Sequence, residues 1–239
     1  MHQIRISPEA TAFARRQRGG AINMFERLEL SRTAHVIVDM QNGFVAPGAP
    51  VEVPVARDIV DNINAISRAV RQAGGINVFL QMTVDEASKQ SWSNWFRYFH
   101  TAESTAGFED SFGRGQHHWR LWPQMEVAEG DLFVDKTRFG AFVAGASRLH
   151  EILQARGVDT LIITGALTNC CCESTARDAM QMNYKLVFVS DANAALTDAA
   201  HNATLDNMCM IFADVRPTSE VVDLIAASAV PAAAAAAAE

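Results

Sequence analysis

Six short apolar runs recur between residues 35 and 213, and most of them show no alternation of apolar and polar positions. Continuous apolar runs of this length are typical of strands that are covered on both faces. Helical patterns separate the runs, and strand–helix alternation with right-handed crossovers predicts an α/β fold. We expect a three-layer, doubly wound, mainly parallel six-stranded sheet with helices on both faces. The predicted strands are residues 35–39, 77–82, 132–135, 160–164, 186–190 and 210–213.

Apolar residues at helical spacing predict the helices that connect these strands. Glycines just after two of the patterns, at Gly74 and Gly157, are typical of helix C-terminal ends. The predicted helices are residues 8–16, 56–73, 144–155, 171–182, 198–208 and 219–226.

The pattern predicts one domain, residues 34–226, between two less regular ends. Residues 1–33 are Arg-rich and are interpreted as an N-terminal arm that lies over the domain or onto a partner subunit. Residues 227–239 are almost pure alanine and are predicted to be a disordered tail. Residues 83–125 have no clear strand and hold all four tryptophans. A segment this long within a domain is typical of a lid or a subunit interface, and the sequence leaves both open.

Composition narrows the classes of partner. The net charge of −7 argues against nucleic acid or an anionic membrane as the main partner. No apolar run approaches the roughly 20 residues of a membrane helix, and the first 30 residues lack the apolar core of a signal peptide. Three of the four cysteines are adjacent, which is a poor disulfide framework. We therefore expect reduced thiols and a cytoplasmic location.

Three side chains suited to catalysis follow predicted strands: Asp39, Lys136 and Cys171. In an open parallel sheet, ligands bind beyond the carboxyl ends of the strands, so the three are expected to converge. A thiol at a helix N-terminus lies against unpaired N–H groups that favour its thiolate. Successive helical positions turn by about 100°, so the three adjacent thiols cannot all face one cleft. Each residue alone is often a cap, a solvated charge or a packing group, but together they indicate a nucleophile with charged partners.

Three motifs carry a family resemblance. They are His-Val-Ile-Val-Asp-Met-Gln-Asn-Gly-Phe at 35–44, Asp-Lys-Thr-Arg-Phe-Gly-Ala-Phe at 135–142, and Thr-Gly-Ala-Leu-Thr-Asn-Cys-Cys-Cys-Glu-Ser-Thr-Ala-Arg-Asp at 164–178. In this order they resemble the isochorismatase-like cysteine hydrolases, over residues 34–225. The last motif is most similar to that of the ureidoacrylate amidohydrolases and related small-amide hydrolases.

The resemblance implies roles for the three residues. Cys171 is expected to be the nucleophile, Asp39 the proton acceptor and Lys136 the orienting and electrostatic partner. The family also has a non-proline cis peptide before this turn, here Ala166–Leu167, and an oxyanion hole from the N–H groups of Leu167 and Cys171. The implied activity is that of a metal-independent cysteine amidohydrolase. It would cleave a C–N bond of a small ureido, carbamoyl or carboxamide compound through a thioester, releasing ammonia or carbamate.

Further residues near these motifs are candidates for substrate binding. Gln41 and Phe44 directly follow Asp39, Arg138 could bind a carboxylate or carbonyl, and Asn169 could brace the nucleophile turn. Gly140 replaces a serine that is common in relatives and is expected to enlarge the pocket. The full candidate set is Gln41, Phe44, Trp92, Trp95, Arg138, Phe139 and Asn169.

The sequence predicts no metal site and no cofactor. Nicotinamidase relatives carry an Asp/His/His site after the second strand, but residues 81–85 offer no histidine pair, and the adjacent His117 and His118 would diverge. The family commonly forms homodimers or homotetramers, which is our expectation here. Four alternatives stay open: an isochorismatase-type hydrolase, a nicotinamidase-type hydrolase, a thiol redox protein built on Cys170–Cys172, and a catalytically silent assembly member.

Overall fold

The computed structural model describes residues 1–229, and its centre is a six-stranded sheet in which every pair of neighbouring strands is parallel. The strand order is β3-β2-β1-β4-β5-β6, so the order reverses between β1 and β4. This topology confirms the predicted doubly wound α/β fold. The strands are β1 (Thr33–Val38), β2 (Ile76–Met82), β3 (Leu132–Lys136), β4 (Thr160–Ala166), β5 (Lys185–Ala194) and β6 (Asp214–Arg216).

Helices cover both faces of this sheet. Gly74 and Gly157 follow two of them with positive φ angles of 85° and 67°, as expected for C-terminal ends. The α-helices are α1 (Pro8–Gln17), α2 (Asn42–Val45), α3 (Val60–Gln72), α4 (Glu86–Ser91), α5 (Ser93–Tyr98), α6 (Ala102–Phe112), α7 (Leu149–Ala155), α8 (Glu173–Gln181), α9 (Asp198–Asn207) and α10 (Thr218–Ala229). Short 3₁₀ turns lie at Leu30–Arg32 and Pro54–Arg57, and π-helical turns at Thr168–Cys172 and Met208–Phe212.

Successive residues of each central strand enter two separate apolar cores. In β1, Ile37 packs with α3 and α10, whereas Val36 and Val38 pack with α7, α8 and α9. Because both faces of the sheet are covered, β1 is buried along its whole length. This explains why the strand sequences read as continuous apolar runs.

One predicted strand is wrong. Residues 210–213 lie largely in the π-helical turn that continues α9, and the sixth strand is Asp214–Arg216. Met208 and Cys209 of this turn are fully buried, whereas Ile211 within the predicted run is 51% exposed. A short apolar run carries no period that separates a buried strand from a buried helical turn. Residues 144–148 are also not helical, and α7 begins only at Leu149.

The N-terminal arm lies on its own domain. The ring of His2 stacks on that of His201 in α9 at 4.2 Å, and the N–H groups of Arg5 and Ser7 donate to side chains of the same helix. Further along the arm, the N–H groups of Met24 and Phe25 donate to Asp214.

Two predicted boundaries change. Thr33 belongs to β1 and not to the arm, and α10 continues to Ala229, three residues into the predicted tail. The rest of that tail lies outside the described residues. No helix within residues 1–229 is long and apolar enough to cross a membrane.

Residues 83–125 form three short helices in place of an irregular loop. Asp85 caps the N-terminus of α4 and Thr101 that of α6, each with a side chain that accepts a hydrogen bond from the backbone N–H three residues later. Phe112 of α6 is fully buried and packs against Phe44, which joins the segment to the carboxyl edge of the sheet.

Candidate active site

The carboxyl ends of β1, β3 and β4 bring Asp39, Lys136 and Cys171 together, and β2 lies between β1 and β3 in the sheet. Asp39 directly follows β1, Lys136 is the last residue of β3, and Cys171 lies in the π-helical turn after β4. The backbone of Asp39 has a φ of 52°, which is uncommon for a residue other than glycine. Next to it in β4, Gly165 lies so close to the backbone of Val38 that a Cβ atom would overlap it. The strands that carry Asp39 and Cys171 therefore approach each other closely.

Asp39 and Lys136 form a fully buried ion pair. The Lys136 Nζ atom lies 2.7 Å from Oδ2 of Asp39, and neither side chain is exposed to solvent. The same ammonium also donates to the carbonyl of Arg138 at 3.1 Å. Burial raises the pKa of Asp39, and Lys136 only partly opposes that shift. Burial alone would lower the pKa of Lys136, but the charges of Asp39 and Cys171 outweigh it, so the pKa is raised and the lysine stays charged.

Cys171 is a buried thiol that faces this pair. A hydrogen bond with Cys170 and burial raise the pKa of Cys171 well above its usual range, while Lys136 lowers it. Burial and this hydrogen bond therefore oppose the thiolate that the helix N-terminus and Lys136 would favour. A neighbouring base is needed to remove the proton, and Asp39 lies within hydrogen-bonding reach.

The turn around Cys171 has its own supports. The N–H groups of Cys170 and Cys172 both donate to the carbonyl of Leu167 at 3.1 Å. Neither bond involves the N–H groups of Leu167 and Cys171, which are the expected donors of the oxyanion hole. The Ala166–Leu167 peptide bond is cis, as the resemblance implies. Beneath the turn, the hydroxyl of Thr168 is hydrogen-bonded to Nδ1 of His201 at 2.8 Å.

A pocket of about 550 Å³ opens above the buried pair, and Cys171 lies at its base. Its volume is that of sites that bind small molecules. Most of the wall is apolar or aromatic, and Glu52 is its charged member. The lining residues are Phe44, Ala49, Pro50, Val51, Glu52, Met82, Trp95, His100, Phe108, Phe139, Leu167, Cys170, Cys171 and Leu196.

Three of the seven residues predicted to bind substrate line this pocket: Phe44, Trp95 and Phe139. Gln41 does not, because both ends of its amide bind the backbone. Its Nε2 group donates to the carbonyls of Met82 and Trp119, and its Oε1 accepts from the N–H of Met82. Gln41 therefore fixes the strand end and is not free to contact a substrate.

Trp92, Arg138 and Asn169 also lie off the pocket wall. Trp92 stacks behind Trp95 at 4.3 Å, and the Arg138 guanidinium lies 4.9 Å from the centre of the Trp92 ring. The same guanidinium donates to the carbonyl of Thr137 and the hydroxyl of Ser91, so it is directed away from the pocket. Asn169 points outward and is exposed.

Gly140 does not enlarge the pocket as expected. It packs against α8, where a Cβ atom would come within 2.8 Å of a carboxylate oxygen of Asp178. The sequence interpretation missed eight wall residues that lie outside the motifs: Ala49, Pro50, Val51, Glu52, Met82, His100, Phe108 and Leu196. The clustering of aromatic residues around His100 was the one signal that pointed toward any of them.

Metal-ligand donors are not gathered at this site. Within residues 1–229, no group of three or more His, Cys, Asp or Glu side chains has a geometry that could hold a metal ion. The fold and site together describe an α/β enzyme whose ionisable groups meet at the carboxyl edge of a parallel sheet, below an apolar pocket.

Comparison with known proteins identifies the family. The model of the isochorismatase domain matches residues 33–220. Ureidoacrylate amidohydrolase RutB of Variovorax paradoxus (strain S110) is 33% identical over 208 residues, which cover 82% of each chain. RutB of Pseudomonas savastanoi pv. phaseolicola (strain 1448A / Race 6) is 31% identical over 199 residues, covering 78% of this chain and 80% of that protein. The chain belongs to the isochorismatase family of hydrolases.

Solved structures agree with this placement. A cysteine hydrolase from Pseudomonas syringae pv. phaseolicola 1448A superposes with a TM-score of 0.75 at 26% identity, covering 87% of this chain and 98% of that one. An N-carbamoylsarcosine amidase from Thermoplasma acidophilum shares the fold, with a TM-score of 0.61 at 23% identity and coverage of 78% and 96%.

Proposed function

We propose that this isochorismatase-family hydrolase is a cysteine amidohydrolase, which cleaves the C–N bond of a small amide or ureido compound through a thioester on Cys171. The observation that carries the proposal is the buried ion pair of Asp39 and Lys136, 2.7 Å apart, beside a buried thiol at the base of a pocket. The relatives named as ureidoacrylate amidohydrolases support the same class of bond.

The first half of the reaction forms the thioester. Asp39 accepts the proton of the Cys171 thiol, and the sulfur attacks the amide carbonyl carbon. The raised pKa of Asp39 makes it a better proton acceptor than an ordinary carboxylate. Lys136 balances the negative charge that passes between the carboxylate and the sulfur. The N–H groups of Leu167 and Cys171 are the proposed donors to the oxyanion.

The second half releases both products. Protonated Asp39 donates its proton to the leaving nitrogen, the C–N bond breaks, and ammonia departs from a primary amide. Asp39 then accepts a proton from water, which attacks the thioester carbonyl. The C–S bond breaks, the acid leaves, and the thiolate recovers its proton from Asp39. The thiolate is a stronger nucleophile than water, so it attacks the amide first, and water attacks only the thioester that results.

Ammonia release tests the activity across ureas, carbamoyl acids, nicotinamide and maleamate. Acid-quenched samples analysed by mass spectrometry should show an acyl adduct on the peptide that contains Cys171. Cys171→Ala should abolish both signals, whereas Cys170→Ala and Cys172→Ala should retain substantial activity. These two are matched controls, because each removes a neighbouring thiol from the same turn.

Two results would contradict the proposal. Undiminished ammonia release by Cys171→Ala would exclude the thioester. Cleavage of isochorismate, with no ammonia from any amide in the panel, would indicate an isochorismatase-type hydrolase. Such an enzyme would not need Cys171 as a nucleophile.

A further inference from the structure

The pocket walls define a chemical class of substrate, and the following inference rests on the proposed function. Four aromatic side chains line the pocket: Phe44, Trp95, Phe108 and Phe139. Among the residues of the described chain that line the pocket, none is a lysine or an arginine. A substrate carboxylate would thus leave water without an ammonium or guanidinium partner in the wall, whose one basic group is the imidazole of His100, and this is costly in an apolar pocket.

Three lysine and arginine side chains near the pocket already have other partners. Arg138 lies behind Trp92 and is held by Thr137 and Ser91. Lys136 is fully buried and paired with Asp39. Arg57 pairs with Glu52 at 2.8 Å and donates to the carbonyl of Val45, so it stands behind the wall and does not line it.

Glu52 gives the wall a negative charge. Its carboxylate accepts from the N–H of Gly48 at 2.8 Å and from Arg57, and both contacts favour the ionised form. Arg57 balances this charge from behind the wall, but the carboxylate is the member of the pair that lines the pocket, so a substrate carboxylate would meet another acceptor as well as an apolar wall.

We propose that the natural substrate is an uncharged primary amide or ureide whose acyl side carries an aromatic or branched aliphatic group, and that Glu52 excludes carboxylated analogues. The aromatic wall binds the uncharged group by burial and ring contacts. The reactive carbonyl then lies at the base of the pocket, beside Cys171. This specificity differs from the activity named for the ureidoacrylate amidohydrolases, whose substrate is a carboxylate.

Matched substrate pairs measure the preference directly. One pair is 3-ureidoacrylate and its methyl ester, and the other is 4-carboxycinnamamide and 4-methylcinnamamide. In each pair, kcat/KM for the uncharged member should exceed that for the carboxylate by at least about tenfold, the discrimination expected when a charge is left unpaired. Equal values or a preference for the carboxylates would overturn the proposal.

Two variants test the cause of the preference. Glu52→Gln removes the negative charge and should reduce the discrimination within each pair, while Leu196→Arg places a cation at the exposed rim and should reduce it further. Leu196 is 64% exposed, so this change does not disturb the core. Glu126→Gln is the control, since it removes the same charge from an exposed pair with Arg68 that is not part of the pocket. An unchanged ratio in both Glu52→Gln and Leu196→Arg would overturn the assigned role of the wall charge.

Alkylation of Cys171 separates this inference from the proposed function. Iodoacetamide and iodoacetate differ in charge, and their rates at Cys171, followed by peptide mass spectrometry, can be normalised to those of a free cysteine. The normalised ratio should favour iodoacetamide in the native protein and shift toward iodoacetate in Leu196→Arg. If no amide were hydrolysed, the proposed function would fail while this ratio still tested the charge preference. A normalised preference for iodoacetate would overturn the inference by itself.

Discussion

Lys136 is the residue whose position most constrains the chemistry. Its ammonium is fully buried between a carboxylate and a thiol, and it lies 2.7 Å from Asp39 and 3.1 Å from the carbonyl oxygen of Arg138. Removing one partner of a buried ion pair leaves an unpaired charge, which costs far more than loss of an exposed pair. The charge of Lys136 lowers the pKa of both Asp39 and Cys171, so this one residue links the ionisation of the two groups.

Lys136→Met should lower kcat by about 100-fold or more, the scale seen when a preorganised charge at a reacting centre is lost. Lys136→Arg should rescue little, because a planar guanidinium cannot reproduce a compact ammonium in a fully buried position. Steady-state kinetics provide the measurement, and thermal unfolding of each variant provides the control for folding. A rate near that of the native protein in Lys136→Arg would show that charge alone suffices.

The sequence predicted which residues meet at the site, but not every direction in which side chains point. Asp39, Lys136 and Cys171 follow strands, and the carboxyl ends of parallel strands converge whatever the turns look like. The directions of Gln41 and Arg138 depend on the dihedral angles of the turns that carry them. Gln41 turns back onto the backbone of Met82, just after the unusual φ of Asp39.

The three helices of residues 83–125 act as the structural element that shapes the pocket. Trp95 lines the wall, and its ring packs edge-on against Phe108 at 5.3 Å and Phe139 at 5.5 Å. Trp92 supports Trp95 from behind. This arrangement favours the lid interpretation for Trp95 within a single chain, while Tyr98 and Phe99 of the same segment are exposed.

Trp95→Ala should raise KM and relax selectivity, because it removes a large apolar surface from the wall without touching the reacting groups. The rate of Cys171 alkylation by iodoacetamide should change little. Trp122→Ala is the matched control, since Trp122 belongs to the same segment but does not line the pocket. Light scattering on both variants would reveal any loss of subunit contact. An unchanged KM in Trp95→Ala would contradict the role of the wall.

Element types were harder to predict where an apolar run is short. The run at residues 210–213 could be a strand or a helical turn, and four residues are too few to show which period they follow. The helices of residues 83–125 escaped prediction because they are six to eleven residues long. Helices this short depend on tertiary contacts more than on their own propensity.

The stability of the whole molecule should depend on buried histidines. His35 lies in the centre of the sheet, where its ring nitrogens contact Asn77, Ser67 and Thr164. Burial lowers the pKa of His35 to about 3, and burial likewise lowers the pKa of His201 to about 4. Both rings are therefore neutral in the folded protein at neutral pH.

The free energy of unfolding should fall as the pH drops below about 6.5, the ordinary pKa of histidine. Between that pH and the lowered pKa, the unfolded chain binds a proton that the folded chain excludes, so protonation favours unfolding. Urea denaturation at a series of pH values measures the slope. His35→Gln should have a shallower slope between pH 6.5 and 4, while the exposed His117→Gln serves as the control. Equal slopes in His35→Gln and the native protein would show that this ring does not contribute.

The global fold was the most predictable level, because it depends only on the alternation of apolar runs and helical patterns. The position of the arm was not predictable, since it relies on individual contacts such as the stacking of His2 on His201. Assembly of the protein into homodimers or homotetramers stays a prediction.

Gly165 has a practical consequence for redesign of the active site. Since no side chain fits between Gly165 and Val38, the spacing of base and nucleophile is a property of the main chain. The wall of the pocket comes instead from side chains on separate segments, among them Val51, Trp95 and Leu196. A combinatorial library that randomises these wall positions can therefore explore new amides without altering the reacting geometry. The same library with Gly165 included should lose most of its active members.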